Sequence, residues 1–337
     1  MNHFTFITPE YIAAITATRA GETKFGEQVR IINDNHWQAL AEDPATFVLL
    51  GIPEDIGVKA NYGIGGTPTL WEPALKALLN IQETDKAGGG DLAVLGYFDF
   101  KEWRKELEHQ PIEVWRKKVA AIDEEVAEVI EKIVSCNKIP IVIGGGHNNA
   151  YPIIKGSSIA KKQAINCINL DAHSDYRRIE GRHSGNGFRY AKMEGYLNHY
   201  VAFGLDENYN SRNVLEDMDA DDTIRYSTFE DIFLHERIDF KEALFQAAQF
   251  VRRQPCGLEI DMDRIEGVLS SAATPCGVSP LQARQFVSYM AKNADAAYLH
   301  LAEGAVTLEN GRENPLTPKM IAYLVTDFMK GVMNRGL

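Results

Sequence analysis

The chain has 337 residues, 45% hydrophobic and 24% charged, the make-up of a folded globular protein with one large or two smaller domains. A formal net charge of −12 with no long basic tract argues against a nucleic-acid binder. No run approaches the roughly 18 apolar residues of a membrane span.

The start, Met1-Asn2-His3-Phe4, lacks a basic region followed by an apolar block, so no secretory signal is expected. Thr8 to Ala20 has helical character, and the polar stretch through Glu42 completes an N-terminal extension, residues 1–45, packed on a single domain spanning 1–337. Thr46 to Ile52 reads as the first buried strand, closed by Pro53. Gly57 to Gly66 reads as a connecting loop; its four glycines do not have the spacing of the dinucleotide fingerprint, which argues against a nucleotide-binding oxidoreductase. A helix is expected over Thr69–Leu79 and a strand over Leu92–Tyr97. From Ile112 to Ile133 apolar residues recur at alternating steps of three and four, the pattern of an amphipathic helix.

Strands follow at Ile139–Ile143, Ile165–Leu170, Tyr200–Gly204, Thr223–Tyr226, Gly257–Met262 and Ala297–Leu301. Helices are expected at Ala150–Ala160, Lys241–Arg252, Pro280–Lys292 and Pro318–Lys330, with Ser279 and Thr317 as N-caps before a proline. Uniformly apolar strands alternating with helices give an α/β fold, a mainly parallel sheet of about eight strands covered on both faces. Cys136, Cys167, Cys256 and Cys276 are far apart with no CxxC, and read as thiols of a reducing compartment, here the cytoplasm.

Three strands end in ligand-type side chains. One supplies His147 after Gly144-Gly145-Gly146. Another supplies Asp171, His173 and Asp175, whose spacing of two puts them on one face of an extended strand. The third supplies Asp261 and Asp263. Each alone could be a capping aspartate or a structural histidine. Together, at the strand ends where open parallel sheets build their sites, they are expected to form a metal centre. Two histidines and four carboxylates suit a pair of first-row divalent ions, and the oxygen-rich set favours manganese over zinc. Two such ions about 3.5–4 Å apart lower the pKa of a shared water, so the reaction class is hydrolysis.

GGGH, DAHSD and DMD, in this order and spacing, closely resemble the ureohydrolase superfamily of arginases, agmatinases and formimidoylglutamases. The segments Gly51–Gly57 and Gly63–Pro68 resemble that family's first loop. The resemblance covers about residues 46 to 330. It implies a three-layer α/β/α fold, two manganese ions per subunit, a homo-oligomer of three or six chains, and cleavage of a C–N bond in a guanidino or formimidoyl group. By position, His147, Asp171, Asp175 and Asp261 would hold one ion. Asp171, His173, Asp261 and Asp263 would hold the other, with Asp171 and Asp261 bridging. Glu303, after the last strand, would meet the substrate's cationic amidine.

Gly146 before His147 matches formimidoylglutamases, where arginases and agmatinases usually carry an aspartate. Phe188 stands where arginase has its proton-shuttling histidine, within an SGxxFR pattern that formimidoylglutamases share; His183 is the candidate substitute. The loop also holds Arg177, Arg178, Arg182 and Arg189, and a guanidinium fork suits a carboxylate. Arg182 and Arg189, with Ser184 and Asn186, are the expected substrate contacts. The expected substrate is N-formimidoyl-L-glutamate, in histidine breakdown. Two departures from the family, Asn148-Asn149 and Arg264-Ile265-Glu266-Gly267, leave open another small amidine or guanidino compound, or a non-catalytic metal-binding member.

Overall fold

The computed structural model describes residues 2–32, 37–86 and 88–335. Met1 and residues 33–36 of the polar N-terminal stretch lie outside them. Among the described residues ten strands form one sheet: β1 Phe4–Phe6, β2 Arg30–Ile31, β3 Phe47–Gly51, β4 Leu92–Phe98, β5 Ile139–Ile143, β6 Ile165–Leu170, β7 Leu197–Leu205, β8 Ile224–Thr228, β9 Cys256–Asp261 and β10 Ala296–Ala302. Their order is β1-β4-β3-β5-β10-β9-β6-β7-β8, with β2 also on β4. Every pairing is parallel except β1 with β4.

All eight strands expected from apolar runs are present. The extra two come from the N-terminal segment, which supplies edge strands and does more than pack against the domain. Thr5 pairs with Tyr97 and Ile31 with Val94, so β1 and β2 share the free edge of β4.

Alternating residues of each inner strand enter opposite cores, which is why the strands are apolar throughout. Phe47 and Leu49 pack with Trp71, Leu75, Phe286 and Phe328 on one face, among the helices Trp71–Leu79, Phe240–Val251, Pro280–Asn293 and Thr317–Met333. Val48 and Leu50 pack with Val119, Ile122, Val126 and Ile154 on the other, under the helices Ile112–Ser135 and Ala150–Lys161. The result is a three-layer α/β/α fold. The two helices of the second layer approach closely at Gly156, where an added Cβ would sit 2.5 Å from the Ala127 carbonyl oxygen.

Ser279 caps its helix as expected, accepting from the Gln282 amide at 3.2 Å. Thr317 does not cap: it is the first helical residue, and its hydroxyl accepts from the Leu269 amide at 3.4 Å. The short helices Gly187–Met193 and Arg212–Asp219 are further additions; the second buries only Val214 and Met218 and carries no long apolar stripe.

Candidate metal centre

β5, β10, β9 and β6 are consecutive neighbours in the sheet, and each delivers ligand-type residues from its carboxyl end. Beyond β5 the chain passes through Gly144 and Gly145, at φ +86° and +79°, a left-handed pair that glycine adopts without strain and that turns His147 back over the sheet. β6 stops at Leu170, so alternation along a strand is not what gathers its three ligands. The Asp171 carboxylate accepts from the His173 amide at 2.7 Å, folding the loop back, and Asp175 takes φ +44°. Asp261 likewise ends β9 and accepts from the Asp263 amide at 2.8 Å, in a tight turn. Loop geometry, more than strand periodicity, brings the carboxylates to one point.

That point lies beside the fully buried His147 ring. Its Nδ1 is 2.9 Å from Asp175 Oδ2, 3.2 Å from Asp261 Oδ2 and 3.3 Å from Asp171 Oδ2, yet it has no aligned hydrogen bond. A single ring nitrogen cannot serve three carboxylates. Spacings of about 3 Å are those of atoms sharing an ion with bonds of about 2.0–2.2 Å. A second group follows: His173 Nδ1 is 3.2 Å from Asp263 Oδ2 and 3.5 Å from Asp171 Oδ1. Asp171 belongs to both groups, whereas Asp261 falls in the first alone. Burial, then the neighbouring Asp263 and Asp171, push the Asp261 carboxyl well above the usual range; burial and Asp171 also raise Asp175. Buried like charges of this kind call for a cation. The donor set fits two divalent ions.

Glu303, beyond β10, sits at φ +64°, a strained position for a residue with a Cβ. Its Oε1 accepts from the His147 amide at 3.1 Å and its Oε2 from the Ser271 hydroxyl at 3.1 Å. Burial pushes its carboxyl up to about 7, with the His147 amide opposing. His173, Asp175, Asp261, Asp263 and Glu303 line a cavity of about 660 Å³ that is also bounded by Asn61, Tyr62, Arg177, Ser184 and Tyr209, while His147 and Asp171 lie buried behind it. Asn61 and Tyr62 come from the segment expected to be a mere connection.

The six expected metal ligands and Glu303 converge; the loop after Asp175 is arranged differently from expectation. Ser184 lines the cavity. Arg182 does not: it is buried, donates to Asp123 at 2.8 and 3.3 Å, to Asn186 Oδ1 at 2.7 Å and to the Asn148 carbonyl at 2.9 Å, and stacks between Tyr151 and Tyr190. Asn186 is consumed by the same clasp, its amide nitrogen donating to the carbonyls of Arg178 and Gly181. Arg189 donates to the Tyr176 carbonyl and to Asp217, outside the cavity. The arginine that reaches the cavity is Arg177, braced by Asn61 Oδ1 at 2.7 Å and Glu180 at 3.2 Å.

His183 is buried away from the cavity. Its Nδ1 accepts from the Gly185 amide and its Nε2 contacts Glu180 at 3.1 Å. Burial, helped by Arg177 and Arg116, lowers its pKa to about 4, and its ring is not among the groups that line the cavity. Phe188 stacks on Tyr200 at 4.5 Å and meets the His147 ring edge-on at 5.3 Å.

The departures from the family pattern find partners. Asn148 and Asn149 donate to Glu54 Oε1 at 3.2 and 2.6 Å; the Gly146 amide joins them at 3.0 Å, clamping the glycine loop to the first loop. Arg264, fully buried, donates to Asp206 at 2.6 Å and joins the ends of β7 and β9.

A family model described as "Arginase family" matches residues 45–329. The chain is 29% identical to a formimidoylglutamase of Macrococcus caseolyticus over 56% of its own length and 60% of that protein, a match that spans less than two thirds of the relative. It is 26% identical to a formimidoylglutamase of Streptococcus gordonii over 77% of this chain and 74% of the relative. The crystal structure of formimidoylglutamase from Bacillus subtilis superposes with a TM-score of 0.74 at 18% identity, covering 96% of both chains.

Proposed function

The chain belongs to the arginase family, and from that membership and the geometry of the centre we propose that it is a dimanganese hydrolase of an amidine or guanidine C–N bond, with N-formimidoyl-L-glutamate as substrate. The observation that carries this reading is the pair of candidate ligand groups sharing Asp171, four of whose members, His173, Asp175, Asp261 and Asp263, line one cavity with Glu303. His147, Asp171, Asp175 and Asp261 would hold one ion; Asp171, His173 and Asp263 would hold the other. Oxygen donors outnumber nitrogen, which favours manganese. Bound there, two divalent ions supply water activated at neutral pH as the nucleophile.

The chain's own groups do the rest. Glu303, fixed by the His147 amide and the Ser271 hydroxyl, faces the amidinium and orients its carbon over the centre. Water adds to the formimidoyl carbon, the bond from that carbon to the glutamate nitrogen breaks, and that nitrogen takes a proton, leaving glutamate and formamide. Phe188 has no proton to give, whereas Glu303 places a carboxyl in the cavity. Arg177 at the mouth offers its guanidinium to a substrate carboxylate, a role earlier given to Arg182 and Arg189. A cavity of about 660 Å³ accommodates a substrate of this size. A cytoplasmic homo-oligomer belongs to the same proposal; no described helix is long and apolar enough to cross a membrane.

The test is a substrate panel with manganese-loaded protein: formimidoylglutamate, arginine, agmatine and guanidinobutyrate. Formamide release from the first is expected. Urea from arginine or agmatine instead would move the substrate, and no turnover with two ions bound would make this a non-catalytic member.

A further inference from the structure

Beneath the centre, on the side away from the cavity, the sheet buries a polar network where parallel strands are ordinarily apolar. Glu259 of β9 and His300 of β10 are registered neighbours with no solvent exposure. Glu259 Oε2 is 2.6 Å from His300 Nδ1, and Glu259 Oε1 accepts from the Tyr298 hydroxyl at 2.7 Å. His300 Nε2 faces the carbonyl oxygen of Gly144 at 3.1 Å, at the start of the loop that carries His147. The remaining contact is upward: Glu259 Oε2 lies 3.3 Å from Nε2 of His147, the nitrogen opposite the one facing the three aspartates.

A buried carboxylate is tolerated only when its lone pairs have partners. Glu259 has two, Tyr298 and His300, and its nearest further polar neighbour is the buried Nε2 of His147, which has no aligned hydrogen bond of its own. The 2.6 Å between Glu259 and His300 is the distance of a direct hydrogen bond, so the two side chains hold each other in place. A neutral imidazole carries one proton, and the acceptor beside one nitrogen decides which nitrogen keeps its lone pair.

We propose that Glu259, held by His300 and Tyr298, is the positioning residue of His147. It receives the Nε2 proton, fixes the tautomer that leaves the Nδ1 lone pair aimed at Asp171, Asp175 and Asp261, and sets the ring's orientation. This rests on the reading of His147 as a metal ligand. Its consequence is selective: Glu259 governs the ion beside His147 and not the one beside His173 and Asp263.

The experiment is manganese titration of the full chain against a competing chelator, with the electron paramagnetic resonance of the bound ions as a second readout. The wild type should bind two ions with a spin-coupled signal. Glu259→Gln should weaken one ion by about 10–100-fold and leave the other unchanged, giving an uncoupled signal at limiting metal, as should His147→Ala. Two ions bound by Glu259→Gln with wild-type affinities would overturn the proposal, as would lower stability of the metal-free protein with no selective loss. Should that variant not fold, Tyr298→Phe removes one hydroxyl from the network: a several-fold weakening of the same ion supports the proposal, and none overturns it. A wild type that takes up no divalent ion would defeat the reading beneath the inference, a result distinct from all of these.

Discussion

Arg182 reaches Asp123 across 59 residues of sequence, with Nε 2.8 Å from one carboxylate oxygen and Nη2 3.3 Å from the other, both side chains buried. The pair ties the loop that follows Asp175 to the helix Ile112–Ser135, and two tyrosine rings close over the guanidinium. Removing one partner of a buried pair strands the other charge, at a cost of about 3–5 kcal/mol. Arg182→Met should lower the urea midpoint of the metal-free protein accordingly. A loss below about 1 kcal/mol would show that the loop is anchored elsewhere.

His183 makes the same loop sensitive to acid. Its folded pKa, about 4, lies below the 6.5 of a free imidazole, because burial disfavours the charged ring. A depressed histidine contributes stability that is full above pH 6.5 and is lost as pH falls towards 4. Over that window the wild type should lose about 2–3 kcal/mol from this group. His183→Asn should flatten the slope of stability against pH between 6.5 and 4; identical slopes for both proteins would remove the histidine from the account.

Arg177 separates binding from chemistry. Its guanidinium stands at the mouth, braced by Asn61, and touches none of the ligand groups. Arg177→Ala should raise KM for formimidoylglutamate about 10–100-fold, the loss of a charge-assisted contact, while kcat changes little. Turnover of a substrate without a carboxylate should be unaffected. An unchanged KM would take the arginine out of recognition.

Asp263 tests the second ion. Asp263→Ala should bind one manganese where the wild type binds two, and lose turnover by at least about a thousandfold, with an unchanged circular dichroism spectrum. Full activity in that variant would mean that one ion suffices. Chelation of the wild type should abolish activity reversibly, with recovery on adding manganese back.

What could be read before the structure followed from residue chemistry. Largely apolar runs marked eight strands because both faces of this sheet are covered along most of its width. β1 and β2, three and two residues long, have no pattern of their own and form because β4 offers an open edge. The six candidate ligands were legible by type and by position at strand ends, and Glu303 by the family resemblance. The fates of Arg182, Asn186 and Arg189 were not, since an arginine's partner decides whether it is buried, and Asp123 is invisible from a loop 59 residues away. Glu259 and His300 did leave a signal: an ionisable residue inside an otherwise apolar strand.

The place of β10 has a consequence for how the molecule comes into being. It is the last strand in the chain, yet it lies in the middle of the sheet, between β5 and β9. Leu301 pairs on one side with Ile143 and on the other with Ile260, partners made long before it. Until it is made, the sheet exists only as two halves, each with an open apolar edge, and the groups of His147 and Asp261 belong to different halves. Such distant pairings make for slow folding and aggregation-prone intermediates. The candidate ligands are therefore brought together late, in the same step that closes the fold.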